Sequence, residues 1–309
     1  MDKCYDGCLN NDYNNNEGSD RNKRKWKLID FFVGGALGKG RFGLVYKAKE
    51  INSNQTIALK MMDKSIILKY QLTKLVRTEI EIQTRLNHPN IIKMYGYFYD
   101  INNIYTVSEL ANYGSLFDIT HKTNKPFSEK ITANIIIQLV NALIYLKQNN
   151  IIHRDLKLEN ILVTNIITNK EGYEDYIIKI SDFGCCTQYF KYKKIRELCG
   201  TVQYLSPEIL LSQPYSFASD TWSIGIIAYE LICGFNPFYG ENDKIIMEKI
   251  KKFDDINIIF NPLKNFKVSK NFYIFLKKIL EKDPIKRIDI EKILDLDWIK
   301  ENKKYSITN

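Results

Sequence analysis

Asp155, Lys157, Asn160 and Asp182 are the residues of this chain best placed to do chemistry together. Three of them fall in the run Ile-Ile-His-Arg-Asp-Leu-Lys-Leu-Glu-Asn, residues 151 to 160, and the fourth opens Asp182-Phe183-Gly184. A carboxylate can accept a proton and a lysine can offset negative charge. An amide oxygen and a second carboxylate can ligate magnesium. Phosphoryl transfer needs these parts, because its transition state spreads charge over phosphate oxygens and asks for positioning more than covalent help. Upstream, Gly38, Gly40 and Gly43 interrupt Leu37-Gly38-Lys39-Gly40-Arg41-Phe42-Gly43. Glycine lacks a Cβ, so the N–H groups of such a turn can close on phosphate. The spacing alone is weak, since dinucleotide-binding folds share it. Here, however, Val45-Tyr46-Lys47-Ala48 reads as a strand and not a helix, and Ile57-Ala58-Leu59-Lys60 is a second alternating strand that ends on a cation.

The elements that must position these groups follow from periodicity. From Phe31 to about Lys60 the pattern reads strand, glycine turn, strand, short loop, strand. Gln71 to Asn87 reads as a helix, with Leu72, Leu75, Val76, Ile82 and Leu86 at spacings of three and four. Glu79 lies inside that apolar stripe and needs a cationic partner, which Lys60 can supply. Such a pair attracts by roughly 4 kcal/mol at about 4 Å and an effective dielectric near 20, before desolvation. Tyr95 to Glu109 reads as two strands. Ile131 to Lys147 carries Ile135, Leu139, Leu143 and Leu146 on one helical face, and Trp222 to Cys233 is apolar nearly all round, as a buried helix is. Three helical patterns follow to Trp298. The polar stretch 165–176 reads as a long hairpin tip, and residues 1–25 hold too few apolar side chains to order themselves.

Composition bounds the rest. A chain of 309 residues with 45% apolar residues suits two lobes sharing one cleft. The longest apolar run, Trp222 to Cys233, is too short to span a bilayer, and no apolar leader or lipid-anchor signal is expected. No membrane partner is therefore expected. The net charge of +9 is spread along the chain and reads as a lysine-rich solvated surface, so no nucleic-acid partner is expected either. The six cysteines are scattered, with Cys4 and Cys8 in the polar N-terminal stretch. They suggest neither a disulfide framework nor a zinc site but reduced thiols in cytoplasm or nucleus.

Taken together, the motifs resemble a eukaryotic protein kinase over nearly the whole chain. The resemblance implies an α+β, two-lobed fold: a small β-rich N-lobe with one helix and a larger α-helical C-lobe. The kinase domain would run over 26–299, with the N-lobe at about 26–108, a hinge at 109–112, the C-lobe at about 113–299 and a short tail at 300–309. It implies ATP and Mg2+ as cofactors. Asp155 would accept the substrate hydroxyl's proton, Asn160 and Asp182 would hold metal, and Lys60 would hold the α- and β-phosphates while Glu79 holds Lys60. Lys157 would lie against the transferred phosphate, as in Ser/Thr kinases. The glycine loop from Leu37 to Gly43, including Lys39, Arg41 and Phe42, would cover the nucleotide. Leu37, Val45, Ala58 and Leu162 would sandwich adenine, Glu109 and Ala111 would offer backbone groups, and small Ser108 would leave the back of the pocket open. Glu159 lies where some kinases meet basic substrate residues. Gly200-Thr201-Val202-Gln203-Tyr204-Leu205-Ser206-Pro207-Glu208 resembles the family's substrate-platform segment. There Thr201 would bond near Asp155 and Lys157, Glu208 would pair with Arg287, and Asp220 would receive catalytic-loop N–H groups.

The flanks are similar to Aurora kinases: Trp26-Lys27-Leu28-Ile29-Asp30-Phe31, Arg77 to Thr84 with buried Gln83, His88 to Phe98, and Leu198-Cys199-Gly200-Thr201. That implies a role in cell division at spindle, centrosome or kinetochore, an activating protein on the N-lobe, and a monomeric catalytic chain acting on Ser/Thr proteins. Three positions depart from the Aurora pattern. Cys185 replaces a tryptophan, Glu197 replaces the phosphorylatable threonine, and Thr78 replaces an arginine. Arg154 and Arg196 could receive Glu197 in the absence of a phosphate. A calcium/calmodulin- or AMP-activated-type kinase and a pseudokinase scaffold are the alternative readings.

Overall fold

The computed structural model describes residues 26–40, 42–123, 125–168, 174–253 and 256–303. The expectations for residues 1–25, Cys4, Cys8 and Arg41 lie outside that range. The upper lobe is an antiparallel sheet in the order β1-β2-β3-β5-β4, formed by β1 (Phe31–Lys39), β2 (Gly43–Glu50), β3 (Thr56–Asp63), β4 (Met94–Tyr99) and β5 (Asn103–Glu109). Phe31, Phe98 and Tyr105 stack through its outer face at centroid distances of 5.5 and 4.6 Å. Trp26 closes the stack, edge-on to Phe31, over Gly96, where an added Cβ would lie 3.2 Å from the indole. The lead-in tryptophan thus has a packing role.

The sequence suggests one helix in this lobe, but there are two. α1 (Lys64–Lys69) precedes α2 (Thr73–Gln83). Six residues are too few to show a 3.6-residue period, and the only local signal for α1 is its cap, where the Asp63 carboxylate accepts from the Ser65 N–H at 2.7 Å. α2 lays Val76 and Ile80 on Phe42, Met62, Met94 and Ile104 under the sheet.

The lower lobe is built from α3 (Leu116–Thr123), α4 (Glu129–Gln148), α5 (Pro207–Leu210), α6 (Ala218–Cys233), α7 (Asp243–Lys251), α8 (Asn257–Leu263), α9 (Lys270–Ile279) and α10 (Asp297–Lys303). α4 is long and apolar enough to cross a bilayer by length and composition alone. Here it is a core helix: Ile135, Leu139, Leu143 and Leu146 are buried, and Glu129 at its start accepts from Ser269 and from the Trp298 indole. α6 is buried nearly all round and crosses α9 closely, since a Cβ on Gly225 would lie 2.6 Å from Ile279. α10 ends at Lys303 and buries Trp298 and Ile299.

Two further strand pairs are present among the described residues. β6 (Ile151–Ile152) pairs with β9 (Thr187–Gln188), and β7 (Ile161–Thr168) pairs with β8 (Glu174–Ile180). The expected hairpin tip at 165–176 is corrected accordingly. Pairing continues to Thr168 and Glu174, because Ile166 and Tyr176 pack on the lower core and hold register. The expectation of reduced thiols is also corrected at one place. Cys185 and Cys199 form a disulfide, their Cα atoms 6.0 Å apart. A sequence separation of 14 conceals that proximity; it arises because the chain after Gly184 runs out and folds back.

Candidate active site

The catalytic loop lies between β6 and a single 3-10 turn at Leu158–Asn160. Its backbone is anchored from beneath by Asp220 of α6, whose carboxylate accepts the N–H groups of His153 and Arg154 at 2.8 and 2.9 Å. Arg154 takes the left-handed conformation (φ 69°), which turns the chain so that Asp155 faces the cleft. His153 stands edge-on to Phe183 and meets the Ser181 carbonyl at 3.2 Å, tying the loop to the strand that delivers Asp182.

Around Asp155 the chain's own donors converge. The N–H and hydroxyl of Thr201 donate to its Oδ1 at 2.9 and 2.8 Å. Asn160 Nδ2 donates to its carbonyl at 2.8 Å and to Oδ2 at 3.2 Å. Lys157 donates to Thr201 Oγ1 at 2.8 Å and lies 3.7 Å from Asp155 Oδ2. With its nitrogen spent on Asp155, Asn160 keeps Oδ1 as the atom able to ligate a cation. Asp182 is left-handed (φ 57°), and its Oδ1 accepts the Gly184 N–H. Among the described residues no group of three or more His, Cys, Asp or Glu could hold a metal alone. One carboxylate and one amide oxygen opening onto a cleft nevertheless fit magnesium, which fills its octahedron with waters and substrate phosphates.

The upper lobe supplies Lys60 from the middle of β3. Its ammonium donates to Glu79 Oε1 at 2.6 Å, and Glu79 is 3% exposed. Burial pushes the Lys60 pKa down, but the Glu79 and Asp182 carboxylates outweigh that and leave it raised. A Cβ on Gly184 would lie 3.4 Å from Glu79 Oε2, so the Asp-Phe-Gly turn and α2 press together at this pair.

A cleft of about 1280 Å³ gathers these groups. It is lined by Leu37, Gly38, Lys39, Gly40, Val45, Ala58, Lys60 and Glu79 from the upper lobe. Ser108, Glu109 and Ala111 line it at the crossing. From the lower lobe come Asp155, Lys157, Glu159, Asn160, Leu162 and Asp182. Two candidate nucleotide contacts are corrected. Phe42 and Gly43 are not in the lining. Phe42 is 1% exposed and turns under the sheet, its ring 5.5 Å from the Lys60 ammonium. Gly43 pairs with Met62 so closely that a Cβ would lie 1.8 Å from the Met61 carbonyl. An aromatic ring is better buried against Val76 and Ile80 than left at an exposed loop tip.

Other neighbours escaped the sequence reading. Asp118 lines the cleft rim and forms a reciprocal cap with Ser115 (2.8–3.1 Å), a Ser-x-x-Asp pattern that was visible in the sequence. The Glu109 side chain, at the start of the crossing, is held by Lys179 of β8 at 2.7 Å. Of the two arginines expected to meet Glu197, Arg154 does so at 3.5 Å, while Arg196 donates to the Ser212 carbonyl. Away from the cleft, Arg287 grips Glu208 with both terminal nitrogens at 2.7 and 2.9 Å, both side chains almost wholly buried.

A five-stranded lobe over a helical lobe, with an ion-paired lysine above and a carboxylate, lysine and amide below one cleft, defines a protein kinase. The protein kinase domain family matches residues 31–299, and the chain belongs to that family. Such a domain uses ATP with a divalent cation and acts on protein substrates. The chain is 37% identical over 279 residues to the Aurora kinase of Eremothecium gossypii, covering 90% of this chain and 71% of that one. It is 36% identical over 280 residues to serine/threonine-protein kinase Aurora-1 of Arabidopsis thaliana, covering 91% and 90%. It is 35% identical over 280 residues to the Aurora kinase of Dictyostelium discoideum, covering 91% and 68%. It is thus an Aurora-like serine/threonine protein kinase, as the flanking motifs imply.

Proposed function

We propose that this cleft transfers the γ-phosphoryl of ATP to Ser or Thr of proteins used in cell division. The reading is carried by one observation: two hydrogen-bonded sets, Lys60 with Glu79 and Asp155 with Lys157, Asn160 and Thr201, line a single cleft. Leu37, Val45, Ala58 and Leu162 pack adenine, and the backbone of Glu109 and Ala111 orients it. Lys60 holds the α- and β-phosphates, and Glu79 fixes the ammonium where it can do so. Magnesium would supply neutralisation of phosphate charge. Asn160 Oδ1 and the Asp182 carboxylate are the atoms that would hold it. Asp155 orients the acceptor hydroxyl and takes its proton. Lys157 offsets the negative charge of the phosphoryl in flight, and Thr201 keeps both side chains in register.

Glu159, exposed at the cleft, gives a preference for basic residues near the acceptor. The reading extends, by resemblance to Aurora kinases alone, to action in cytoplasm or nucleus, at spindle, centrosome or kinetochore, as a single catalytic chain with an activating protein on the upper lobe. A positional peptide library, phosphorylated by wild type and by Asp155→Asn, tests the reading. The expected result is transfer to Ser/Thr peptides enriched in Arg or Lys, lost in the variant while ATP still binds. Equal transfer by Asp155→Asn, or transfer to tyrosine peptides only, refutes it.

A further inference from the structure

We infer that Lys193 and Lys194 of the activation segment form a docking site for an acidic stretch of the protein substrate, a few residues from the hydroxyl that is phosphorylated. The inference rests on the transfer reading above and adds a second charge requirement to it. Residues 191 to 197 read Lys-Tyr-Lys-Lys-Ile-Arg-Glu, which sets four cations against one carboxylate. Lys191, Lys193, Lys194 and Arg196 are all exposed. Among the described residues, the three lysines take part in no ion pair.

A run of like charges is ordinarily a solvated face. Here the backbone that carries it is pinned. Ile195 is buried and bridges Tyr215, and the Tyr215 hydroxyl donates to the Glu197 carbonyl at 2.7 Å. Arg196 donates to the Ser212 carbonyl at 2.8 Å. On the facing side, β9 is held by β6, and its Gln188 donates to the Asn149 carbonyl at 3.1 Å. Between these two anchored stretches lies a cavity of about 320 Å³, lined by Lys193, Lys194, Arg196 and Gln188 among others. Cations kept together on a fixed frame repel one another. A bound anion relieves that repulsion, and little ordering is left to oppose it, because the frame is already set.

The cavity adjoins the catalytic loop. Glu197, the one carboxylate in its wall, meets Arg154 at 3.5 Å, and Arg154 directly precedes Asp155. The charge of Glu197 is thus partly answered from beneath. A peptide whose hydroxyl lies at Asp155 reaches the lysines with about four to six extended residues, at roughly 3.3–3.6 Å each. Glu159, the anion offered to substrate, stands elsewhere. Its neighbour is Tyr204, whose hydroxyl donates to Glu230 at 2.5 Å; burial first, then Glu230 and after it Glu159, push the Tyr204 pKa up. A substrate therefore meets opposite charges in two places. One with a basic residue for Glu159 and Asp or Glu for the lysines fits both, whereas a uniformly basic one fits only the first. A peptide carboxylate suits the lysines better than a nucleic-acid strand does, since they converge on one cavity and are not spread along a groove.

The test uses the full chain and peptides that share one acceptor and one basic residue. They differ in a block of Asp, Asn or Lys placed about four to six residues from the acceptor, on either side. On one side the Asp block should raise kcat/KM about tenfold over the Asn block, the combined effect of a few exposed pairs, and chiefly through KM. High salt should shrink that ratio towards one. Lys193→Gln/Lys194→Gln should remove the preference, and Lys193→Glu/Lys194→Glu should turn it towards the Lys block. A ratio near one in wild type, or one that survives both double variants, overturns the inference and leaves transfer standing. A labelled RNA oligonucleotide that binds wild type but not Lys193→Gln/Lys194→Gln, with no acidic preference among the peptides, assigns the lysines to nucleic acid and also overturns it. No transfer to any peptide, as for Asp155→Asn, overturns the catalytic reading and this inference with it.

Discussion

Replacing Glu79 by glutamine removes one charge and almost no volume from a contact of 2.6 Å between side chains 3% and 14% exposed. Burial alone lowers the Lys60 pKa; it is raised only because Glu79 and Asp182 oppose that effect. A lysine pKa raised by folding adds stability that is complete below the ordinary value of 10.5 and is lost only as pH climbs past it. At neutral pH the contribution is therefore fully present. Removing one partner of a buried pair costs about 3–5 kcal/mol, and the partial exposure of Lys60 reduces this to about 2–4 kcal/mol. That corresponds to a melting point lower by about 3–6 °C in a chain of this size. If the same energy is lost in positioning the phosphates, kcat/KM for ATP falls by roughly 100-fold. The sign on pH is also determined. With Glu79 neutral, burial is opposed by Asp182 alone, so the alkaline limb of the kcat/KM profile moves to lower pH. Calorimetry and initial rates across pH measure both effects, and a Lys60→Met/Glu79→Leu double variant replaces the whole pair by apolar side chains. The double variant should recover much of the lost stability while staying inactive. Glu79→Gln within about threefold of wild type with an unmoved alkaline limb would refute the reasoning.

Glu208→Gln leaves the buried Arg287 with its backbone carbonyl partners but without a counter-charge, so unfolding in urea should show a loss of about 3 kcal/mol. A midpoint unchanged from wild type would mean the fork contributes nothing. Glu197→Gln removes an exposed carboxylate at 3.5 Å from Arg154, an interaction worth at most about 1 kcal/mol, so turnover of unphosphorylated, reduced protein should drop by no more than about fivefold. Inert unphosphorylated wild type, or turnover unmoved by the change, would show that Glu197 does not stand in for a phosphate. Ser108→Met fills the back of the adenine pocket, and inhibitors carrying a bulky group there should lose about tenfold or more in potency. A panel with equal potency on both proteins would show that those groups bind elsewhere.

Much of the site was legible in the chain because it is local. The catalytic loop places Asp155, Lys157 and Asn160 within six residues, and a short irregular segment can present them with little help from elsewhere. The Lys60–Glu79 pair was legible for another reason. A carboxylate in an apolar helical stripe and a cation ending an alternating strand each lack a partner, and burial makes that costly for both. The helices at 129–148 and 218–233 announced themselves by length and by where their apolar residues fall.

The errors share a different cause. Phe42 sits in a glycine loop whose sequence suggests nucleotide contact, yet its ring finds more apolar surface beneath the sheet, on Met62, Val76 and Ile80. The helix at 64–69 is too short to carry a period, and β7–β8 pairing outran its polar sequence because Ile166 and Tyr176 rest on the lower core. Nor could spacing reveal that Cys185 meets Cys199, or that Arg196 turns to Ser212 and leaves Glu197 to Arg154. By itself the sequence determined which groups exist for phosphoryl transfer and in what order along the chain, since residue chemistry and short-range periodicity are local properties. Only the tertiary structure decided which of them face one another across the cleft and how closely the activation segment lies on Asp155. Those distances are set by packing between elements far apart in the chain, where many side chains compete for the same buried space.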